Sequence, residues 1–220
     1  MIKIEHTEVY GWESAIRGMR NPMNSWDKSD TGWINENELT GSDFLDLDFD
    51  WCTAKVIGEN DLKLMKTLSK AGNDHSKFLR MITVTCDITA PLYVWKEFDT
   101  YKVGTVANSC STMHKIHTKE FTMDDFSREH LLNGSLFQLH RTVDLLNEAR
   151  ECFLETKDKV YWWQMIQLLP SSYNQKRTVQ LNYAVLKSMY HARKNHKLDE
   201  WREFCDWCES LPYFKEICIQ

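Results

Sequence analysis

The stretch that most constrains this chain runs from Leu79 to His117, LRMITVTCDITAPLYVWKEFDTYKVGTVANSCSTMHKIH. Its first part alternates. Ile82, Val84 and Cys86 face one way and Met81, Thr83 and Thr85 the other, which predicts a strand over Phe78–Ile88 with one apolar face. Pro91 follows. Proline lacks an N–H that the first turn of a helix leaves unpaired anyway, so it can open a helix at this point. That helix carries Leu92, Trp95 and Phe98, interrupted by Lys96 and Glu97, and ends near Tyr101-Lys102, ahead of Gly104. Thr105–Met113 then holds five Ser, Thr or Asn side chains in nine residues. Such side chains compete with the backbone for hydrogen bonds and favour a loop. They also supply neutral donors for phosphate or carbonyl oxygens. The order strand, helix, polar loop places hydroxyls, an amide, a lysine and a histidine just past a rigid apolar element, where binding groups are often carried.

The flanking segments supply the rest of a helix-rich fold. Residues 2–10 alternate as a strand, and 12–20 place Trp12, Ala15, Ile16 and Met19 on one helical face before Asn21-Pro22. Residues 24–50 are polar and acidic, and read as a surface excursion or as a lid, since Trp26, Trp33 and Phe44 are costly to leave exposed. Asn60 or Asp61 caps a helix over 62–70 that stops at Ala71-Gly72-Asn73-Asp74. Thr122 caps a helical region at 121–126. Helices are expected at 136–156, with Leu139, Val143, Leu146, Ala149 and Phe153 buried, and at 161–169, closed by Pro170. A strand is expected at 177–183, then helices at 184–193 and 198–211. The result is one α+β domain over 1–220, rich in helix, with a small mixed or antiparallel sheet.

Composition narrows the class. With nine Trp, ten Phe and eight Tyr among 220 residues, and about 150–250 Å² buried by each aromatic ring, the chain has ample material for a core. A net charge of −5 argues against a protein that coats nucleic acid, though not against a small anionic ligand held by a few basic groups. Seven cysteines, an odd number, read as reduced thiols in the cytoplasm, and Cys205-Asp206-Trp207-Cys208 as packing cysteines in a helix rather than a metal or redox pair. No window is long and apolar enough to span a membrane, and the opening residues lack the core of a signal peptide.

From Ala90-Pro91-Leu92-Tyr93-Val94 onward the chain resembles the flavin-dependent thymidylate synthases, which follow an apolar-Pro strand end with a helix, an Arg-His-Arg signature and a Ser/Asn/Ser/Arg/Tyr loop. The resemblance takes in 62–78 on one side and 166–193 on the other, about two thirds of the chain in all. It departs at the signature, where this chain has Thr100-Tyr101-Lys102. The family's glutamine before the signature falls on Glu97, its serine on Thr105, its loop Asn and Ser near Asn108 and Ser111, and its Arg-Tyr on Met113-His114. Further on, the strand arginine corresponds to Lys176 or Arg177, the strand-end asparagine to Asn182 and the helix-terminal arginine to Arg193.

The resemblance implies FAD, a pyrimidine nucleotide and a homotetramer with sites between subunits. The signature change works against the first two, because arginine's fork binds phosphate bidentately and neither threonine nor lysine does. The expected ligand groups are Tyr101, Lys102, Thr105, Asn108, Ser109, Ser111, His114, Lys176, Arg177, Asn182 and Arg193, around a nucleotide-like anion. His114 and His117 lack a third ligand for a metal, and both also read as surface histidines. The leading expectation is a divergent protein of this fold that binds a nucleotide or related anion without ordinary thymidylate synthesis: a sensor, a regulator or a ligand sink of the kind a virus could use. The alternatives are an active flavin-dependent methyltransferase with a rearranged site and a structural oligomer without ligand.

Overall fold

A computed structural model describes residues 1–33 and 55–219 of the chain. The elements follow in the order β1 (Lys3–Tyr10), α1 (Trp12–Arg20), β2 (Gly32–Trp33), β3 (Lys55–Val56), α2 (Glu59–Lys70), β4 (Thr83–Pro91), α3 (Leu92–Phe98), β5 (Val106–Ser109), α4 (Asn133–Thr156), α5 (Lys159–Leu168), β6 (Asn174–Asn182), α6 (Tyr183–Arg193), α7 (Asp199–Ser210) and α8 (Phe214–Cys218). Four of the strands form an antiparallel sheet ordered β1-β4-β6-β5, and β2 pairs with β3 separately.

β4 is flanked on both sides, and its side chains alternate between buried and half-buried along its length. Val84, Cys86 and Ile88, with Val179 and Leu181 of β6, bury one face of the sheet. Against that face lie Trp12, Ile16 and Met19 of α1, Trp95 and Phe98 of α3, Leu186 and Met189 of α6, Trp201 and Phe204 of α7, and Phe214 and Ile217 of α8. A second cluster joins Leu139, Val143 and Leu146 of α4 to Met165 of α5 and to Phe121 and Phe126 before them.

Several boundaries differ from the sequence reading for definable reasons. The strand starts at Thr83 rather than Phe78, because Phe78 and Leu79 are both buried, in a short 3-10 turn over Lys77–Arg80. Two adjacent residues cannot point the same way in a strand. Pro91 ends β4, with Leu92 as the first helical residue, so proline caps α3 rather than opening it. The loop expected at 105–113 contributes β5, which pairs the otherwise free edge of β6. Asp61 is not a cap. Gly58 precedes α2, and Asp61 lies within the helix, fully buried.

Asp61 instead ties the start of the polar excursion to the core. Its carboxylate accepts hydrogen bonds from Arg20 Nε at 2.6 Å, Ser29 Oγ at 2.7 Å, Thr31 Oγ1 at 2.7 Å and the backbone N–H groups of Asp30 and Thr31 at 3.2 and 3.1 Å. Burial pushes this carboxyl up, but the bonds from Thr31, Ser29 and Arg20 outweigh it and hold its pKa below the ordinary value. Trp26, which the lid reading would cover, is about half exposed, its Nε1 donating to Asn21 Oδ1 at 2.8 Å. Residues 34–50 of the expected excursion, Phe44 among them, lie outside the described residues.

Gly11 makes the tight passage from β1 into α1. It has φ +90°, and a Cβ there would sit 2.0 Å from the carbonyl oxygen of Met81. Only glycine combines that backbone with that approach.

Candidate functional site

The last turn of α3 and the residues that follow it, 97–101, form the centre of the expected site. Two arginines reach this segment from other elements. Arg193, at the end of α6, donates from Nη1 to Glu97 Oε2 at 2.7 Å and from Nε to Tyr101 Oη at 3.0 Å. Its guanidinium lies 4.8 Å from the Trp201 ring centroid and 5.6 Å from that of Tyr101. The same Glu97 oxygen accepts from Trp201 Nε1 at 2.9 Å and lies 3.4 Å from His196 Nε2. Arg177, on β6, donates from Nη1 to Asp99 Oδ1 at 2.7 Å and from Nε to Gln175 Oε1 at 3.1 Å, and stacks 4.1 Å from the Trp95 ring centroid. Both arginine side chains are largely covered. Each is satisfied from within the chain, one by Glu97 and the other by Asp99.

The period-2 geometry of β6 separates the other candidates. Lys176 and Asn182 lie on the sheet face opposite Arg177, and Asn108 joins them there as the partner of Thr178. Lys176 Nζ is 2.9 Å from Asp87 Oδ2, and Thr178 Oγ1 donates to Asp87 Oδ1 at 2.6 Å. Those bonds, from Thr178 first and Lys176 second, lower the pKa of Asp87, and the Asp87 carboxylate raises that of Lys176. Asn182 caps α6, accepting from the Val185 N–H at 3.0 Å, while its Nδ2 donates to Gly104 O at 3.4 Å. Ser109 pairs with Arg177 and shares its side of the sheet.

The loop residues have mostly local partners. Thr105 Oγ1 donates to Tyr101 O at 2.6 Å, closing the turn after α3. Ser111 Oγ accepts from the His114 N–H at 2.9 Å. The Lys102 and His114 side chains are exposed, with no hydrogen bond or ion pair to the described residues. His117 is half-buried, its ring edge-on to Phe153 at 4.9 Å, so it is not the surface histidine its sequence suggested.

The fold therefore brings Tyr101 and Arg193 together, and separately Arg177 and Ser109. Lys176, Asn108 and Asn182 share the opposite sheet face, and Lys102 and His114 are left free among the described residues. Asp99, Gln175, His196 and Trp201 complete these contacts, and none was singled out for a role by sequence. Asp99 carried one signal, its position two residues after Glu97 on the helix that leads into the signature. Two open cavities of about 360 and 450 Å³ flank Arg20 elsewhere, one lined by Arg17, Trp26 and Thr31, the other by Ser25, Lys28 and Asn60. No group of three or more His, Cys, Asp or Glu side chains among the described residues could hold a metal ion. No described helix is long and apolar enough to cross a membrane.

The architecture is a helix-rich α+β fold built on a small antiparallel sheet, with the strand, proline and helix of the opening stretch at its centre and the polar loop at the sheet's edge. It is the fold of the flavin-dependent thymidylate synthases. Two solved structures of thymidylate synthase X from Helicobacter pylori, both with FAD and dUMP, superpose on it with TM-scores of 0.67 and 0.66 at 14% identity. The match covers 100% and 99% of this chain, and 98% of each of theirs. No protein-family model and no curated protein matches the sequence.

Proposed function

We propose that this chain binds a nucleotide or a related anionic ligand on a thymidylate-synthase scaffold and does not carry out ordinary thymidylate synthesis. The observation that carries the reading is the state of its two arginines. Both Arg193 and Arg177 are ion-paired with carboxylates of the chain itself. Thr100-Tyr101-Lys102 stands where the resembling family has Arg-His-Arg. A site with its arginines spent in this way has little left to grip a pyrophosphate or to polarise a pyrimidine. Ligand binding itself is supported by the complete scaffold, by the FAD and dUMP in its structural neighbours, and by exposed Lys102 beside a loop of hydroxyls and amides.

The donor set fits FAD poorly, because the guanidinium groups of Arg177 and Arg193 are already paired with Asp99 and Glu97. The reading makes the protein a sensor, a regulator or a ligand sink, such as a virus could turn against nucleotide signalling. It also makes the protein a cytoplasmic homotetramer. The six described cysteines are free thiols, which supports a reducing compartment. Exposed Leu132, Phe137 and Trp163 on and before α4 and α5 support further burial between subunits.

The competing reading is an active flavin-dependent methyltransferase on a pyrimidine nucleotide, favoured by the FAD and dUMP in the neighbours. A thermal-shift screen of nucleoside mono-, di- and triphosphates tests the binding claim, since a ligand of the native state raises the melting temperature by mass action. A rise with at least one nucleotide is expected, and none across the series would remove the proposal.

A further inference from the structure

Glu97 and Asp99 lie two residues apart at the end of α3, yet hold arginines from two different elements, α6 and β6. In each pair the carboxylate accepts from one Nη1 at 2.7 Å while an aromatic ring supports the flat face of the guanidinium, Trp201 for Arg193 and Trp95 for Arg177. The rings fix the plane of each fork and the carboxylates fix its direction. A carboxylate offers an arginine the same kind of oxygen edge that a phosphate does.

We propose that Glu97 and Asp99 are the specificity-determining residues of this site. They occupy the positions on Arg193 and Arg177 that phosphate oxygens would take, and so close both arginines to phosphate, leaving a ligand's phosphate to Lys102 and the loop that follows it. The competition is uneven. A tethered partner acts at an effective concentration in the millimolar range or above. An external phosphate must displace it and separate a charge pair that the ring stacking keeps partly dry. The same carboxylates repel a phosphate that approaches the two arginines. Neutralising them leaves two arginines already oriented on their rings, with N–H groups free for phosphate. The proposal deepens the function argued above and rests on its placement of the site at 97–101.

The test is calorimetric titration of inorganic phosphate into the wild-type protein and the Glu97→Gln, Asp99→Asn and double variants. Glutamine keeps an acceptor for Trp201, and Asp99 is about half exposed, so thermal melts should show all three folded. The double variant should bind phosphate about ten- to a hundredfold more tightly, the worth of one charge-assisted hydrogen bond. Adding Arg193→Ala to Glu97→Gln, or Arg177→Ala to Asp99→Asn, should erase the gain. Folded variants that bind phosphate no better than wild type would overturn the proposal, as would a gain that survives loss of the arginine. Wild-type failure to bind any nucleotide would remove the proposed function, and the variants' phosphate affinity would still decide this inference.

Discussion

Asp61→Asn is the sharpest perturbation of the fold. Asp61 has no exposed surface, and its two oxygens accept five hydrogen bonds from Arg20, Ser29, Asp30 and Thr31. Asparagine keeps the shape but replaces one oxygen with a donor, which then faces the donors of Ser29 and Thr31 or the guanidinium of Arg20. Arg20 is itself 4% exposed and would be left as an uncompensated buried charge. Breaking one side of a buried pair costs about 3–5 kcal/mol. For a chain of this size that lowers the melting temperature by roughly 6–20 °C, at ~2–4 °C per kcal/mol. Urea unfolding at pH 7 with a parallel thermal melt measures it. The pH dependence has a definite sign. Asp61 titrates below its ordinary 3.8 in the folded state, so its stabilisation is fully present above that value and is lost as pH falls through the lower, folded one. The gap between wild type and variant should therefore be widest near neutrality and narrow in acid below about pH 4. A loss under about 1 kcal/mol at pH 7, or a gap unchanged in acid, would refute the assignment of Asp61 as the ionised anchor of residues 29–31.

Other substitutions test separate parts of the account. Gly11→Ala forces a Cβ to 2.0 Å from the Met81 carbonyl oxygen at φ +90°, and should cost at least about 3 kcal/mol in chemical denaturation. Asn182→Ala removes the side-chain cap of α6 and should cost about 1 kcal/mol, read in the same way. Lys102→Ala touches no internal partner among the described residues, so its melting temperature should match wild type while nucleotide affinity falls about tenfold or more. Unchanged affinity in that variant would move the ligand away from the α3 turn.

The elements with strong periodicity were legible. Trp12, Ala15, Ile16 and Met19 are buried as their spacing predicted, as are Ile82, just ahead of β4, and Val84 and Cys86 on one face of it. Cys205 and Cys208 are packing cysteines, both buried with their pKa values raised by desolvation. What escaped was set by tertiary pairing. β5 lies in a stretch rich in loop-favouring residues and is fixed as a strand by pairing with the edge of β6. Phe78 and Leu79 suited a strand by composition, yet burying both neighbours required a tighter turn. α8 is too short for periodicity to mark, and is held by the burial of Phe214, Ile217 and Cys218.

The site shows the same division. The strand-helix-loop scaffold could be read from Pro91 and its flanks, and Glu97 was visible as a charge where the resembling family has an amide. That Glu97 and Asp99 each hold a distant arginine could not, because those contacts join residues 96 and 78 positions apart. The same pairs change the meaning of Arg193. A lone arginine at a helix end invites an anion, whereas this one is bound to Glu97 and Tyr101 and stacked on Trp201.

The central claim, a thymidylate-synthase scaffold without the ordinary chemistry, is tested most directly by the visible spectrum of the purified protein. The protein is mixed with FAD and dUMP, freed of unbound flavin and then given a reduced nicotinamide under anaerobic conditions. The account predicts a colourless protein with no stoichiometric flavin band and nothing to bleach. A yellow protein whose flavin band is retained and then bleached by the reduced nicotinamide would contradict it.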